Sequence, residues 1–161
     1  VGSPRSGELR ADVEPGALPD VADRLVAGTG ARLASLFATD ERAWDAMLTV
    51  NLRSAYLCCR AALPAMLTAG RGRIVNVASR SVVPPAGGFL AYTVAKTGVI
   101  ALTQALAQEV RGRGVTVNAV LPGNIVTEGL AGMGEEYQRS LAASVPLKKL
   151  GVVEDIGYAA L

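Results

Sequence analysis

Tyr92 and Lys96 stand four residues apart in the stretch LAYTVAKTGVIALTQALA, and Ser79 closes the apolar run RIVNVAS upstream of them. On a helix, positions i and i+4 share a face, with Cβ atoms about 6 Å apart. A phenol ordinarily keeps its proton until near pH 10, which makes it a poor acid or base at neutral pH. An ammonium about 5 Å away, at an effective dielectric near 20, favours a phenolate by roughly 3 kcal/mol. Such a pair is poised to exchange a proton with an alcohol or carbonyl oxygen. Ser79, at the end of a facing strand, can hydrogen-bond the same oxygen. By spacing alone, Y-x-x-x-K equally describes an ordinary surface tyrosine–lysine contact.

The elements around these residues are readable from pattern. Arg73 to Ser79 is a short β-branched run, as expected of a parallel strand covered on both faces. Pro84, Pro85, Gly87 and Gly88 make Ser81 to Gly88 a loop at that strand's C-terminal end, where open α/β sheets bind ligands. Leu90 to Val110 reads as a long helix, and Gly98 in its interior predicts the close approach of a neighbouring element. Val115 to Leu121 is a second β-branched strand, turned sharply by Pro122 and Gly123. Upstream, Glu41 to Ala69 reads as one long helix, capped by Thr39 or Asp40 and ended by Gly70. Pro64 is expected to kink that helix or to begin a separate last segment. Asn51 falls in its middle, where its local reading is a solvent-facing polar residue. Thr127 to Pro146 is a looser helical stretch, and a last helix begins near Glu154 and Asp155. Helix, strand, loop, helix and strand in this order define a doubly wound α/β fold.

Composition narrows the chemistry. Of 161 residues half are hydrophobic and only 4% aromatic, which predicts a substantial core of close helix–sheet packing in one domain. There is no histidine, which removes Ser-His-Asp chemistry and the usual zinc sites, so no metal is expected. A net charge of +2 without a Lys/Arg run gives no electrostatic footprint for nucleic acid. Cys58 and Cys59 are adjacent in an apolar helix and read as reduced packing residues of a cytoplasmic protein. No membrane is expected, since no apolar run approaches the roughly 18 residues a span needs. Residues 1–38 are divergent or poorly ordered on composition. The GTG of Gly28 to Gly30 reads as a turn and not a nucleotide loop, because no strand precedes it and Leu33 occupies the place of a third glycine.

Together NLRSAY, GRIVNVAS, YTVAK thirteen residues after Ser79, VTVNAVLPGNIVT and VPLKKLGVVEDIGYAAL resemble the short-chain dehydrogenase/reductase family, in its 3-oxoacyl-carrier-protein-reductase-like branch. The resemblance covers Thr39 to Leu161, about three quarters of the chain. It implies a Rossmann-like α/β fold with a doubly wound parallel sheet. It also implies an oxidoreductase using NAD or NADP on a small-molecule carbonyl or alcohol. In the roles it implies, Tyr92 is the general acid/base, Lys96 favours its phenolate and holds the nicotinamide ribose, and Ser79 orients the substrate oxygen. Asn51 would hold the water of a proton relay, against its local reading. Pro122, Gly123, Ile125 and Thr127 match the segment lining the nicotinamide, Asp12 matches an adenine contact, and Thr127 to Lys149 matches a variable substrate lid. Helices 41–69 and 90–111 match those that pair in homo-oligomers.

The family's opening strand with TGxxxGxG, whose backbone N–H groups hold a pyrophosphate, has no counterpart in these 161 residues, nor has its NNAG. An incomplete sheet is therefore expected, lacking its first strands and its last. A catalytically silent remnant that persists as a helix-pairing module is the alternative expectation.

Overall fold

The structure, a computed structural model, describes residues 34–85, 87–131 and 134–161. Asp12 and the GTG turn therefore lie outside the described residues. A short 3₁₀ turn, Leu36–Ala38, leads into α1, Glu41–Leu48. Asp40 is the cap: its Oδ1 accepts from the Ala43 N–H at 2.7 Å, while the Thr39 hydroxyl turns back to Ser35 O. That satisfies one of the orphan donors of the first helical turn.

The expected single α-helix over 41–69 is interrupted. A π-turn, Thr49–Arg53, separates α1 from α2, Ser54–Ala69, and the N–H of Ser54 reaches back to Thr49 O. One residue is thereby inserted into the helical register at Asn51, and such bulges cluster at functional sites. Pro64 begins no separate segment, since α2 runs through it. Gly70 ends α2 in a left-handed conformation (φ 62°), as its position predicts.

Strands β1, Gly72–Val77, and β2, Val115–Val120, pair in parallel with Val77 opposite Val120. The pairing continues past the strand ends, because the N–H of Ala78 donates to Val120 O and that of Arg80 to Pro122 O. Helix α3, Leu90–Glu109, connects them. From α2 and α3, Cys59, Leu106 and Val110 close on Val115 and Val117 of β2, with Leu63, Met66 and Ile74 packed around them. Three elements also meet through polar groups. The buried Asn76 of β1 donates to the Thr103 hydroxyl of α3 at 2.9 Å, and the Cys59 thiol of α2 donates to its Oδ1 at 3.6 Å. Burial pushes the Cys59 thiol up in pKa. Only one of the two cysteines is a packing residue, however, for Cys58 is exposed.

The expectation of a strand covered on both faces is corrected among the described residues. Ile74 and Asn76 face the helices, whereas Val75 and Val77 of β1 stand 36% and 52% exposed on the other face. Helix α3 also has the length and apolarity of a membrane span, with mean hydropathy 1.2 over 18 residues, which corrects the count made from sequence. Its apolar residues have a packing use: Ala91, Ala95, Val99 and Leu106 are buried against α1 and the sheet.

Downstream, β3, Ile125–Val126, pairs in parallel with β4, Gly151–Val152, a small second sheet that pattern did not reveal. Between them lie α4, Glu128–Ala131, and α5, Glu135–Ser144, and the last helix is α6, Val153–Ala160. The Asp155 carboxylate closes the start of α6 by accepting from the Val152 N–H at 2.9 Å.

Candidate active site

Lys96 ties the site to the sheet. Its side chain runs from the second turn of α3 to the C-terminal end of β1, where Nζ donates to Val77 O at 3.0 Å. The same Nζ lies 5.7 Å from the centroid of the Tyr92 ring, within the range of a cation–π contact. Half-buried, the ammonium loses hydration, and this desolvation lowers the Lys96 pKa from its ordinary value of 10.5. An ammonium carries three donors, and one of them is used by Val77 O. The helical spacing of Tyr92 and Lys96 thus yields a specific pair anchored on a strand end, not a loose surface contact.

Ser79 follows Val77 by two residues. Its Oγ accepts from the Ser81 N–H at 3.2 Å and lies 2.9 Å from the Ser81 hydroxyl. These bonds hold the turn that leaves β1. Through the bond from Arg80 to Pro122 O, the same turn sits against the chain leaving β2. Ser79, Lys96 and Pro122 are therefore gathered at one edge of the parallel pair, its C-terminal edge, where ligands of open α/β sheets bind.

On the helix side, the Tyr92 ring packs on the buried pair Met47 and Ala91, together with Trp44 and Ala46 of α1. Asn51 is half-buried, and its Nδ2 donates to Met47 O at 3.1 Å. This overturns the solvent-facing reading of that residue. Met47 thereby links Asn51 to Tyr92, and Lys96 links Tyr92 to the strand end two residues before Ser79. Gly98 explains how closely the elements approach. A Cβ there would come within 2.8 Å of the Leu52 side chain in the π-turn, as an interior glycine predicts.

The remaining candidates lie further along the chain. Gly123 is exposed, with nothing within 4 Å of where a Cβ would stand. Ile125 sits in β3, and the Thr127 hydroxyl accepts from the Leu130 N–H at the start of α4. Two participants were missed from sequence. Met47 falls at a core position of an amphipathic helix, and Ser81 looks like loop composition, so neither carried a signal.

Lys96 Nζ thus reaches the C-terminal edge of a parallel α/β layer two residues before Ser79, with the Tyr92 ring 5.7 Å away. The comparisons name the family. A profile describing the short chain dehydrogenases matches residues 20–138. Nodulation protein G of Azospirillum brasilense is 37% identical over 153 residues, covering 94% of this chain and 60% of that protein. A 3-oxoacyl-(acyl-carrier-protein) reductase of Staphylococcus aureus is 37% identical over 123 residues, covering 75% of this chain and 49% of that enzyme. A solved structure described as ElxO with NADP bound superposes with a TM-score of 0.72 at 30% identity, covering 78% of this chain and 52% of that one. The chain belongs to the short-chain dehydrogenase family, and its fold is the α/β Rossmann type of that family. It spans about half the length of the curated relatives it matches.

Proposed function

We propose that this chain carries the catalytic portion of an NAD(P)-dependent oxidoreductase acting on a carbonyl/secondary alcohol pair, with Tyr92 as the general acid/base. The observation that carries the reading is Lys96, desolvated beside Tyr92 and bonded to the end of the strand that leads to Ser79. The relative named as a 3-oxoacyl reductase supports a carbonyl substrate. The neighbour with NADP bound supports a nicotinamide cofactor.

The residues present fit one end of such a cofactor. Lys96 keeps two ammonium donors beyond the one bonded to Val77 O, and these suit the paired hydroxyls of a ribose. Tyr92, Pro122, Gly123, Ile125 and Thr127 would border the nicotinamide end, and Asp12 the adenine. The pyrophosphate end has no matching glycine loop in this sequence. When bound, a nicotinamide supplies or accepts the hydride at the substrate carbon. In reduction Tyr92 gives its hydroxyl proton to the carbonyl oxygen, and in oxidation it takes that proton from the alcohol. Lys96 favours the phenolate left behind, and Ser79 holds the substrate oxygen by a hydrogen bond. Asn51 would hold the water that returns the proton.

General acid–base catalysis contributes about 10²–10⁴-fold, so Tyr92→Phe is expected to lose turnover by at least about 100-fold with its circular dichroism unchanged. Unchanged turnover in that variant sinks the assignment. A second reading has its own support, since Tyr56, Leu57 and Val94 stand 45%, 46% and 41% exposed on α2 and α3. On this reading the chain is a catalytically silent module that pairs helices 41–69 and 90–111 with a second copy. Titration with NADPH and NADH separates the two: quenching or enhancement of nicotinamide fluorescence at millimolar cofactor supports the enzyme, and its absence supports the module.

A further inference from the structure

Asn51 is held by one residue at two points. Its Nδ2 donates to Met47 O at 3.1 Å and to Met47 Sδ at 3.0 Å. A carbonyl oxygen and a thioether sulfur are both acceptors only, so the amide must turn its NH₂ toward Met47. That group has two protons, one available to each acceptor. The amide oxygen is left pointing away from Met47, as an acceptor and nothing else.

The backbone around this amide has little freedom of its own. Ser54 closes the π-turn twice, through its N–H to Thr49 O and through its hydroxyl to Val50 O. Met47 is 1% exposed and packed among Trp44, Ala46, Ala91 and Tyr92, which restricts its side chain. Rotation of the Asn51 side chain is the freedom that remains, and the carbonyl and thioether of Met47 together restrict it. A leucine of similar volume would fill the same place and leave one amide proton without a partner in a half-buried position. The Met47 carbonyl alone would then hold the amide in its present sense, with one of its two restraints gone.

We propose that Met47 is a positioning residue whose carbonyl and thioether together fix the polarity of Asn51, so that the group Asn51 binds must itself donate a hydrogen bond, as a water, a hydroxyl or an ammonium does. The consequence for catalysis rests on the assignment of Asn51 to the site. The bond itself does not.

The test is side-chain amide NMR of the full chain labelled with ¹⁵N at asparagine. Replacing methionine sulfur by selenium keeps the shape and the acceptor, and is expected to shift one of the two Asn51 amide protons and spare the other. Met47→Leu is expected to speed solvent exchange of that proton about fivefold, the size of one net hydrogen bond, with the backbone amides of Tyr92 and Val99 in place. An Asn51 amide indifferent to selenium overturns the proposal, and does so even where Met47→Leu fails to fold. Turnover is a separate readout. Asn51→Ala with full activity would remove Asn51 from the reaction while leaving the NMR result standing.

Discussion

A half-buried ammonium is an expense in the folded state, and Lys96 makes that expense measurable. Burial lowers its pKa, whereas unfolding returns it to the ordinary value of 10.5. Between the lowered value and 10.5 the unfolded chain binds the extra proton, so stability rises with pH through that window and the penalty is complete below it. Lys96→Met is therefore expected to be more stable than the parent at pH 7, with the difference closing by about pH 11. Thermal unfolding across that pH range checks it, and a difference that stays constant with pH would contradict it. The same lysine marks what residue types reveal at this scale. The four-residue spacing from Tyr92 was legible, because helical geometry fixes which positions share a face. The Val77 carbonyl that anchors Lys96 was not, because it belongs to a strand 19 residues away in sequence.

Among the elements, two glycines separate a tight contact from an impossible one. At Gly98 a Cβ would press on the Leu52 side chain at 2.8 Å, and a leucine terminus can shift. At Gly114 it would stand 1.9 Å from the carbonyl oxygen of Gly70, with φ at +76°. There the turn before β2 lies on the turn before β1, and backbone cannot yield as a side chain does. Gly114→Ala is expected to cost at least about 2 kcal/mol, from left-handed strain and the clash together. In Gly98→Ala, about 1 kcal/mol of helix propensity offsets the repacking of Leu52, leaving a much smaller change. Urea denaturation of both variants tests the order. Interior position alone announced the close approach at Gly98. The role of Gly114 required the two turns to be seen side by side. The π-turn was hidden for a similar reason, since TVNLR is helical by composition and only its bonding departs from the α pattern.

At the scale of the molecule, the helices cover one face of the β1–β2 pair and leave the other bare among the described residues. Parallel strands are normally buried on both sides, and the apolar run at Ile74 to Val77 is written for that condition. Val77, 52% exposed, is the clearest point of this mismatch. Exposed apolar strand surface promotes association, so Val77→Thr is expected to reduce concentration-dependent light scattering. Its backbone carbonyl, and hence the anchor of Lys96, is retained in that variant. Scattering that is unaffected by the substitution would place the associating surface elsewhere, for instance on Tyr56 and Leu57.

The residues thus divide by how their contacts arise. Local pattern placed β1, α3 and β2, a cap at Thr39 or Asp40 and the end at Gly70, because each depends on neighbours within one or two turns of chain. Motif resemblance named Ser79, Tyr92, Lys96 and Asn51. Only the tertiary structure decided that Lys96 reaches Val77 O, that the Asn51 amide donates to both Met47 O and Met47 Sδ, and that β3 and β4 pair across residues 127–150. Those contacts join atoms far apart in the chain or bonded against the helical pattern. Their geometry is set by packing, which a local pattern does not contain.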